Sequence, residues 1–382
     1  MVTFQLSPEQ EALRNLAHEF SETEIKPIAP KHDETEEPAW EVIRKAHELG
    51  LMNVHVPPEY GGQGLGNLEG CLIEEELAWG CLGISGSISA NNLALEPILL
   101  AGTDEQKRKF LPWFCAEPRL AAFALTEATG GSDVAAMYTR ARRVGDEYVI
   151  TGTKTFITNG GVADLYVVFA TLDRSLAHKG ICAFIVPGDT PGVRAGKKER
   201  KMGDRASHVG EVIFEEAVVP AANRLGAEGQ GFKLAMQTLD RTRPGIGAAA
   251  VGVARRAMEE ALAYARERHA FGRPIAEFQM IQAMLADMAM NIDAARLLVW
   301  RAAWLQDQGQ PGTAEGAMAK CFASDVAMRV TTDAVQILGG NGYMRDYPVE
   351  KLMRDAKITQ IYEGTNQIQR LVIARQLLKS RS

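Results

Sequence analysis

The sequence lacks the features that mark disulfide-rich, membrane and nucleic-acid-binding proteins. Its five cysteines are widely spaced and contain no Cys-x-x-Cys pair, which argues against a disulfide framework or a zinc site. The first residues show no basic segment followed by an apolar run, so no signal peptide is expected. No run approaches about 18 apolar residues. The formal net charge of −6 disfavours a nucleic-acid partner, which would usually meet a basic face.

Several common catalytic motifs are also missing. There is no Gly-x-Ser-x-Gly elbow and no Gly-Lys-Ser/Thr phosphate loop, and no pair of histidines has His-Glu-x-x-His spacing. No metal site is therefore expected. Gly245-Ile-Gly-Ala-Ala-Ala250 fits a loosened dinucleotide pattern, but a helical segment precedes it where a strand is needed. We interpret this stretch as close helix packing through small residues.

What is present is a helix–strand–helix order over 382 residues, 46% of them hydrophobic, which is typical of a soluble protein of two or three domains. The pattern predicts an α+β multi-domain fold. Its parts are an N-terminal helical domain (1–121), a middle β domain (122–227) and a C-terminal helical domain (228–382). Predicted strands lie at 123–125, 147–159, 165–172, 181–186 and 211–214. Predicted C-terminal helices lie at 230–241, 245–268, 277–308 and 313–338.

The stretch Thr359-Gln-Ile-Tyr-Glu-Gly-Thr365 is the candidate catalytic segment. Pro348 opens one helical pattern and Thr365 resembles the N-cap of the next helix. Gly364 between them can turn where a Cβ would obstruct. A carboxylate at such a junction, Glu363, can project into a dry pocket and become a stronger base. A solvated glutamate at the start of a turn is the alternative.

Six motifs in order resemble the acyl-CoA dehydrogenase family. They are Leu125-Thr-Glu-Ala-Thr-Gly-Gly-Ser-Asp-Val134, Lys154-Thr-Phe-Ile-Thr-Asn-Gly-Gly161, Asp240-Arg-Thr-Arg-Pro244, Arg268-His-Ala-Phe-Gly272, Gln336-Ile-Leu-Gly-Gly-Asn-Gly342 and Ile361-Tyr-Glu-Gly-Thr365. The first motif departs from the family pattern at Ala128-Thr129, where Pro-Gly is usual, and we expect this change to loosen the local turn slightly, while Gly131-Ser132-Asp133 is intact.

The resemblance implies a helical domain, a middle β-barrel-like domain and a C-terminal four-helix bundle, assembled as a homotetramer (a dimer of dimers) with noncovalent FAD. It implies α,β-dehydrogenation of a fatty acyl-CoA, as in fatty acid β-oxidation. Glu363 would remove the α-proton, and flavin N5 would take the β-hydride. Some relatives carry the base at the position of Thr242 instead, and threonine cannot serve as that base.

The same resemblance assigns the other site residues. Ser132, Asp240, Arg243, Tyr362 and Gly364 would contact substrate. Arg268, Phe271, Gln279, Gln336, Gly339 and Gly340 would contact the FAD of a neighbouring subunit. The remaining cofactor contacts would be Phe123, Leu125, Thr126, Ser132, Phe156, Ile157, Thr158, Thr365 and Gln367.

The resemblance also implies electron-transferring flavoprotein as the acceptor, with Leu51, Leu65 and Ile73 as candidate docking residues. The alternatives are an acyl-CoA oxidase, a related flavin monooxygenase or a non-catalytic flavoprotein homologue. The motifs are closest to medium-chain and short-chain straight-chain enzymes, and we expect a medium-chain preference. The expected compartment is the cytoplasm of a bacterium, or the mitochondrial matrix for a mature eukaryotic chain.

Overall fold

The chain folds into consecutive regions of helices, strands and helices. The computed structural model describes residues 4–379. The first region contains α1 (Pro8–Phe20), α2 (Ala29–Thr35), α3 (Trp40–Glu48), α4 (Asn67–Gly80), α5 (Leu82–Ala101) and α6 (Asp104–Ala116). Ser7 caps α1 and Thr103 caps α6, each in a reciprocal capping box with the glutamine three residues on. Both helix starts are readable in the sequence.

The middle region is one mixed sheet of eight strands. Its strands are β1 (Ala121–Ala124), β2 (Arg140–Val144), β3 (Glu147–Thr158), β4 (Leu165–Thr171), β5 (Ile181–Pro187), β6 (Val193–Lys198), β7 (Val209–Pro220) and β8 (Arg224–Leu225). They lie in the order β6-β7-β3-β2-β4-β5-β8, and β1 pairs in parallel with β4. Every residue of β4 is buried. The side chains on one face belong to the apolar cluster that includes α5 and α6, and those on the other face belong to the cluster that includes β3 and β7.

Three strands of this sheet were missed by the sequence prediction. β2 reads Arg-Ala-Arg-Arg-Val, and only Ala141 is buried. β6 also has no buried residue, and β8 has only two residues. Such strands carry no apolar alternation, because they are held by backbone pairing with their neighbours rather than by a buried face. The five predicted strands are all present.

The C-terminal region is a helical bundle with an alanine-rich core. Its helices are α7 (Gly231–Glu267), α8 (Gln279–Asp307), α9 (Thr313–Leu338), α10 (Val349–Thr359) and α11 (Asn366–Lys379), with a small hairpin of β9 (His269–Ala270) and β10 (Arg273–Pro274). The helix–strand–helix fold class is confirmed. None of the helices described in residues 4–379 combines the length and apolarity needed to cross a bilayer.

The predicted break between helices at residues 241 and 245 is wrong. α7 continues through Pro244 for 37 residues. Proline has no N–H to donate to the carbonyl four residues earlier, which normally weakens a helix. Here the Gln306 side chain of α8 donates to that carbonyl, the oxygen of Asp240, at 2.8 Å. The lost backbone hydrogen bond is thus replaced from another helix.

Two of the candidate docking residues are part of the core. Leu51 is 2% exposed and Ile73 is 3% exposed, and Leu65 is partly buried against the same cluster. A protein partner cannot contact the first two side chains directly. The sequence expectation was wrong because apolar residues near a glycine-rich loop can face inward.

Gly252 of α7 allows the closest approach of α7 to α4. A Cβ at this position would lie 2.1 Å from the backbone oxygen of Glu75. We expect Gly252→Ala to lower the free energy of unfolding by about 2 kcal/mol through overpacking. Gly245→Ala in the same helix is the control, because a Cβ there meets nothing within 4 Å and alanine favours a helix. Urea denaturation of both variants measures the difference; equal stabilities would contradict this packing.

Candidate active site

Glu363 lies in the tight turn between α10 and α11. Its φ is 51° and that of Gly364 is 93°, so two successive residues have left-handed backbone. This conformation is costly for a residue with a side chain and is common at functional sites. Thr365 accepts a hydrogen bond from the backbone N–H of Ile368 at 3.3 Å, so the predicted N-cap is confirmed. The turn aims the Glu363 side chain at α7.

The Glu363 carboxyl meets the hydroxyl of Thr242. Thr242 Oγ1 donates to Glu363 Oε2 at 2.6 Å, which leaves the other carboxyl oxygen for a ligand. Burial raises the pKa of Glu363, and the Thr242 hydrogen bond and the charges of Arg243 and Lys320 oppose that rise. The carboxyl is therefore a stronger base than an exposed glutamate. The sequence analysis discussed Thr242 only as the position where some relatives carry the catalytic base. In this structure it is the hydrogen-bond partner of Glu363.

Lys320 of α9 holds the turn in place through hydrogen bonds. Its buried ammonium donates to the Gly364 carbonyl at 2.9 Å and to Asn366 Oδ1 at 3.0 Å. Gln369 Nε2 donates to the same carbonyl at 2.9 Å, and Asn366 Nδ2 donates to Ser324 Oγ at 2.8 Å. Desolvation lowers the pKa of Lys320 to about 8. The sequence analysis missed this residue, whose only signal is a lysine within an alanine-rich helix.

Arg243 and Asp240 form a pair beside the turn. Arg243 is buried and donates to Asp240 Oδ1 at 2.5 Å, while Thr313 donates to Asp240 Oδ2 at 2.7 Å. A Cβ on Gly364 would lie 3.8 Å from Arg243 Nη2, so the guanidinium is adjacent to the turn. The predicted substrate residues Asp240, Arg243, Gly364 and the neighbouring Tyr362 are thus close together, whereas Ser132 is exposed on a separate loop.

A cavity of about 70 Å³ opens from Glu363 and Thr242 between α4, α5 and α7. Leu93 and Ile246 contribute apolar wall, and Glu74 and Asn92 contribute polar wall. The sequence analysis did not single out Glu74. Among residues 4–379, no group of three or more His, Cys, Asp and Glu side chains could hold a metal ion.

A second feature, on the sheet, has the shape expected of a protein surface that stacks against a flavin ring. The pairing of β3 with β7 shifts register between Lys154 and Ile157. This irregularity contains Phe156, which has φ 58° and a side chain 62% exposed. An aromatic ring held outward by an irregular strand suits stacking against a planar cofactor. Ile157, in contrast, is buried under the sheet.

A buried ion pair ties the first flavin motif to this strand. Lys154 Nζ donates to Glu127 Oε1 at 2.8 Å and to the Leu125 carbonyl at 3.0 Å. Burial would raise the pKa of Glu127, but the Lys154 charge and further hydrogen bonds hold it below its usual range. The Thr155 backbone N–H also donates to the Thr126 carbonyl at 2.9 Å.

These contacts bring the predicted flavin residues of the two sheet motifs together. Thr126 and Thr158 are half-buried beside Phe156, and Phe123 packs against Phe169 with 4.9 Å between ring centroids. The neighbouring Leu125 is buried. The exposed aromatic ring and the two half-buried hydroxyls fit a flavin ring with hydrogen-bonding edges. Glu127 was not predicted, although it stands inside the quoted motif.

Six further predicted cofactor residues lie at the other end of the bundle. Thr242 and Glu267 are 25 residues apart in α7, which corresponds to roughly 37 Å along the helix axis. Arg268 follows that end directly and is exposed, and Phe271 in the β9–β10 hairpin is 96% exposed. Asn341 donates to Tyr264 at 2.8 Å, so the turn after α9 is at the same end. Gln279, Gln336, Gly339 and Gly340 are exposed there too.

The Arg268 group is therefore far from Thr242, which contacts Glu363 in the same chain. Thr365 is half-buried and Gln367 is exposed, and both lie near Glu363 rather than near Arg268.

Comparison with known proteins shows to which family the chain belongs. Residues 7–118, 122–217 and 229–378 match the N-terminal, middle and C-terminal domains of acyl-CoA dehydrogenase. The chain belongs to the acyl-CoA dehydrogenase family of FAD-dependent oxidoreductases, as the six motifs predicted.

Among its relatives, the short-chain specific acyl-CoA dehydrogenase of Clostridium acetobutylicum is 47% identical over 378 residues, which cover 98% of this chain and 100% of the relative. The structure of butyryl-CoA dehydrogenase from Megasphaera elsdenii superposes with a TM-score of 0.97 at 45% identity, covering 99% of this chain and all of that one. A chain in a structure described as the electron transferring flavoprotein of Acidaminococcus fermentans also gives 0.97, at 48% identity, with 99% of this chain and 100% of that chain covered.

The Lys320 anchor predicts a change in the pH dependence of the base. In Lys320→Met the turn loses two hydrogen bonds and Glu363 loses a nearby positive charge. We expect flavin reduction by acyl-CoA to slow about tenfold or more, because the base is less well placed. The pH at which the rate of flavin reduction increases should also be higher than in the unmodified enzyme, since removing the cation raises the pKa of Glu363.

Stopped-flow flavin bleaching across a pH series measures both effects. Ser324→Ala is the matched control, because it disturbs the same Asn366 contacts and keeps the ammonium. A pH profile that moves equally in both variants would show that the Lys320 charge does not act on the base.

Proposed function

We propose that this protein dehydrogenates a short straight-chain acyl-CoA to the trans-2-enoyl-CoA, with Glu363 as the base that removes the α-proton. The observation that carries the proposal is the Glu363 carboxyl, held by Thr242 at 2.6 Å and facing a cavity lined by α4, α5 and α7. A carboxylate in that position can take a proton from a carbon placed against it.

The chain prepares this carboxyl in two ways. Burial raises the pKa of Glu363, so its proton affinity moves toward that of the acidified α-carbon. The hydrogen bond from Thr242 occupies one carboxyl oxygen and so directs the other oxygen at the substrate. The Glu363 backbone N–H, together with a ribityl hydroxyl of the cofactor, would bind the thioester oxygen as negative charge develops there.

Bound FAD would supply the acceptor for the β-hydride at its N5 atom. The chain would hold it with Phe123, Thr126, Phe156 and Thr158 from the sheet, with the backbone of the buried Leu125 and Ile157, with Ser132 near its phosphates, and with Thr365 and Gln367 at the base end. Phe156 supports this assignment most directly, because it presents an aromatic face outward from strained backbone.

A short acyl chain fits the small cavity better than the medium chain expected from the motifs. The cavity measures about 70 Å³. The relatives reported above include a short-chain specific enzyme and a butyryl-CoA dehydrogenase. Asp240, Arg243, Tyr362 and Gly364 would contact the thioester portion, and Ser132 the CoA phosphates.

Electron-transferring flavoprotein is the proposed electron acceptor. The 48% identical chain solved in the study of that flavoprotein supports this choice over oxygen. The docking surface is not formed by Leu51 or Ile73, which are buried. Comparison of turnover with this acceptor and aerobic peroxide formation distinguishes a dehydrogenase from an oxidase.

A homotetramer built as a dimer of dimers is proposed for the assembly. Met290, Leu297 and Trp304 recur every seven residues on α8 and are 63%, 37% and 50% exposed. A stripe with this spacing suits packing against another helix. We also propose domain boundaries after residues 121 and 227. The proposed compartment is the bacterial cytoplasm, or the mitochondrial matrix for a eukaryotic chain.

Glu363→Gln tests the base directly. The amide has nearly the same shape but cannot accept the α-proton, so FAD content and acyl-CoA binding should persist. Anaerobic bleaching of the flavin by butyryl-CoA should slow by at least about a hundredfold. Thr242→Val is the comparison variant, because it retains the carboxylate and should keep measurable bleaching. Substantial bleaching by the glutamine variant would remove the base assignment.

Arg268→Ala tests the contribution of a neighbouring subunit. The side chain lies roughly 37 Å along α7 from Thr242 of its own chain. We expect FAD to dissociate about tenfold more readily, since a guanidinium suits the cofactor pyrophosphate. Arg266→Ala, two residues earlier in the last turn of α7, is the control. FAD retention during dialysis reports the effect, and identical retention in both variants would contradict the shared site.

A further inference from the structure

Helix α7 contains four glycines, and packing within the chain accounts for three of them. A Cβ on Gly231 or Gly252 would lie 2.6 Å or less from a backbone atom of another strand or helix. A Cβ on Gly247 would lie 2.7 Å from the Val299 side chain. Glycine stabilises a helix less than alanine does, because its backbone is freer in the unfolded chain. These three positions have glycine because alanine does not fit.

Gly245 is the exception among the glycines of α7. A Cβ there would meet no atom within 4 Å, and its backbone does not have a positive φ. Neither the backbone conformation nor contacts with other parts of the chain therefore require glycine. Gly245 is only half-buried, and it lines the cavity that opens from Glu363 and Thr242. The empty space next to its Cα thus belongs to the cavity that receives a ligand.

This space lies beside the base. Thr242 Oγ1 donates to Glu363 Oε2 at 2.6 Å, and Gly245 follows Thr242 by three residues in the same helix. Residues three apart are neighbours on one helix face, with roughly 5–6 Å between their Cβ positions. A short alkyl chain can span this distance. An acyl group whose α-carbon lies against Glu363 can therefore extend over Gly245.

The cavity lining favours that direction over the opposite one. Arg241, which precedes Thr242, is paired with the buried Glu96, and 2.5 Å separate Arg241 Nε from Glu96 Oε1. Alkyl carbons placed against this pair would remove water from two charges, which is unfavourable. On the other side of Thr242, the lining residues of α7 are Gly245 and the apolar Ile246. Burial of alkyl carbons against these residues is favourable.

We propose that Gly245 determines the length of acyl chain that the enzyme accepts, because its missing side chain provides the room for carbons beyond the β-carbon. This inference rests on the proposed dehydrogenase function and deepens it. Reaction of hexanoyl-CoA depends on the room at Gly245 more strongly than reaction of butyryl-CoA does. Gly245 is a specificity-determining residue, since the proton and hydride transfers occur at Glu363 and the flavin.

Gly245→Ala and Gly245→Val test the proposal by filling this space in two steps. For each enzyme loaded with FAD, the rate constant of anaerobic flavin bleaching is divided by the dissociation constant, first with hexanoyl-CoA and then with butyryl-CoA. We expect the hexanoyl-to-butyryl ratio to fall about tenfold in Gly245→Ala and further in Gly245→Val. The space of one methylene group in an apolar pocket changes specificity by about 10–200-fold.

Stability separates this effect from damage to the fold. The thermal unfolding midpoint of Gly245→Ala should equal or exceed that of the unmodified enzyme, because alanine favours a helix and the added methyl meets no protein atom. Ile246→Val is the matched control, because it removes a methyl group from the same wall, so the hexanoyl-to-butyryl ratio should not fall. If the valine variant at position 245 does not fold, the alanine variant alone decides the test.

Binding provides a readout that does not depend on the reaction. In the Glu363→Gln background, calorimetry measures the dissociation constants of both thioesters. Addition of Gly245→Ala should weaken hexanoyl-CoA about tenfold more than butyryl-CoA.

Unchanged ratios in both variants at position 245 would overturn the inference. An equal loss of both thioesters would also overturn it, because the space would then serve the thioester portion. Loss of FAD from Gly245→Ala would assign the space to the cofactor and would have the same consequence. If the unmodified enzyme is bleached in these cases, the proposed dehydrogenase function still holds. If neither thioester bleaches it, the proposed function itself has failed.

Discussion

The contact between the buried ammonium of Lys320 and the Gly364 carbonyl, 2.9 Å long, is the constraint on which the site depends. Glu363 and Gly364 both adopt left-handed backbone, which costs on the order of 1–3 kcal/mol at the glutamate. Hydrogen bonds that involve a charged group contribute about 1.5–3 kcal/mol each and can offset that strain. Because the donors come from α9 and α11, the turn has a fixed position relative to the bundle, and so does the carboxyl that it carries.

Helix α7 connects this turn to the rest of the molecule. It presents Thr242 to the Glu363 carboxyl and, ten residues later, packs Gly252 against α4. It remains continuous through Pro244 because Gln306 replaces the missing backbone donor. Its far end carries Arg268, roughly 37 Å from Thr242. The same helix thus positions Thr242 at the Glu363 carboxyl and carries the exposed Arg268 at its far end.

Burial acts differently on the two carboxyl groups that line the cavity. Glu363 lies near Arg243 and Lys320, and these cations oppose the rise in pKa that desolvation causes. Glu74 lacks such a cation among the described residues, and its pKa rises to about 7. The cavity lining therefore holds one carboxyl, Glu363, beside two cations and a second, Glu74, whose pKa lies near neutral pH. The separation of roles comes from the environment of each side chain and not from its chemical type.

The sequence by itself determined the helix–strand–helix order, the capping boxes at Ser7 and Thr103 and the family, because these depend on local spacing and on motifs with fixed residues. It also identified Glu363, Phe156 and the distal Arg268 group as candidates. Only the tertiary structure decided that α7 continues through Pro244, that Leu51 and Ile73 are buried, and that Lys320, Thr242 and Glu74 surround or face the base. Those facts depend on contacts between residues dozens to hundreds of positions apart, and no local pattern in a single sequence encodes which of them meet.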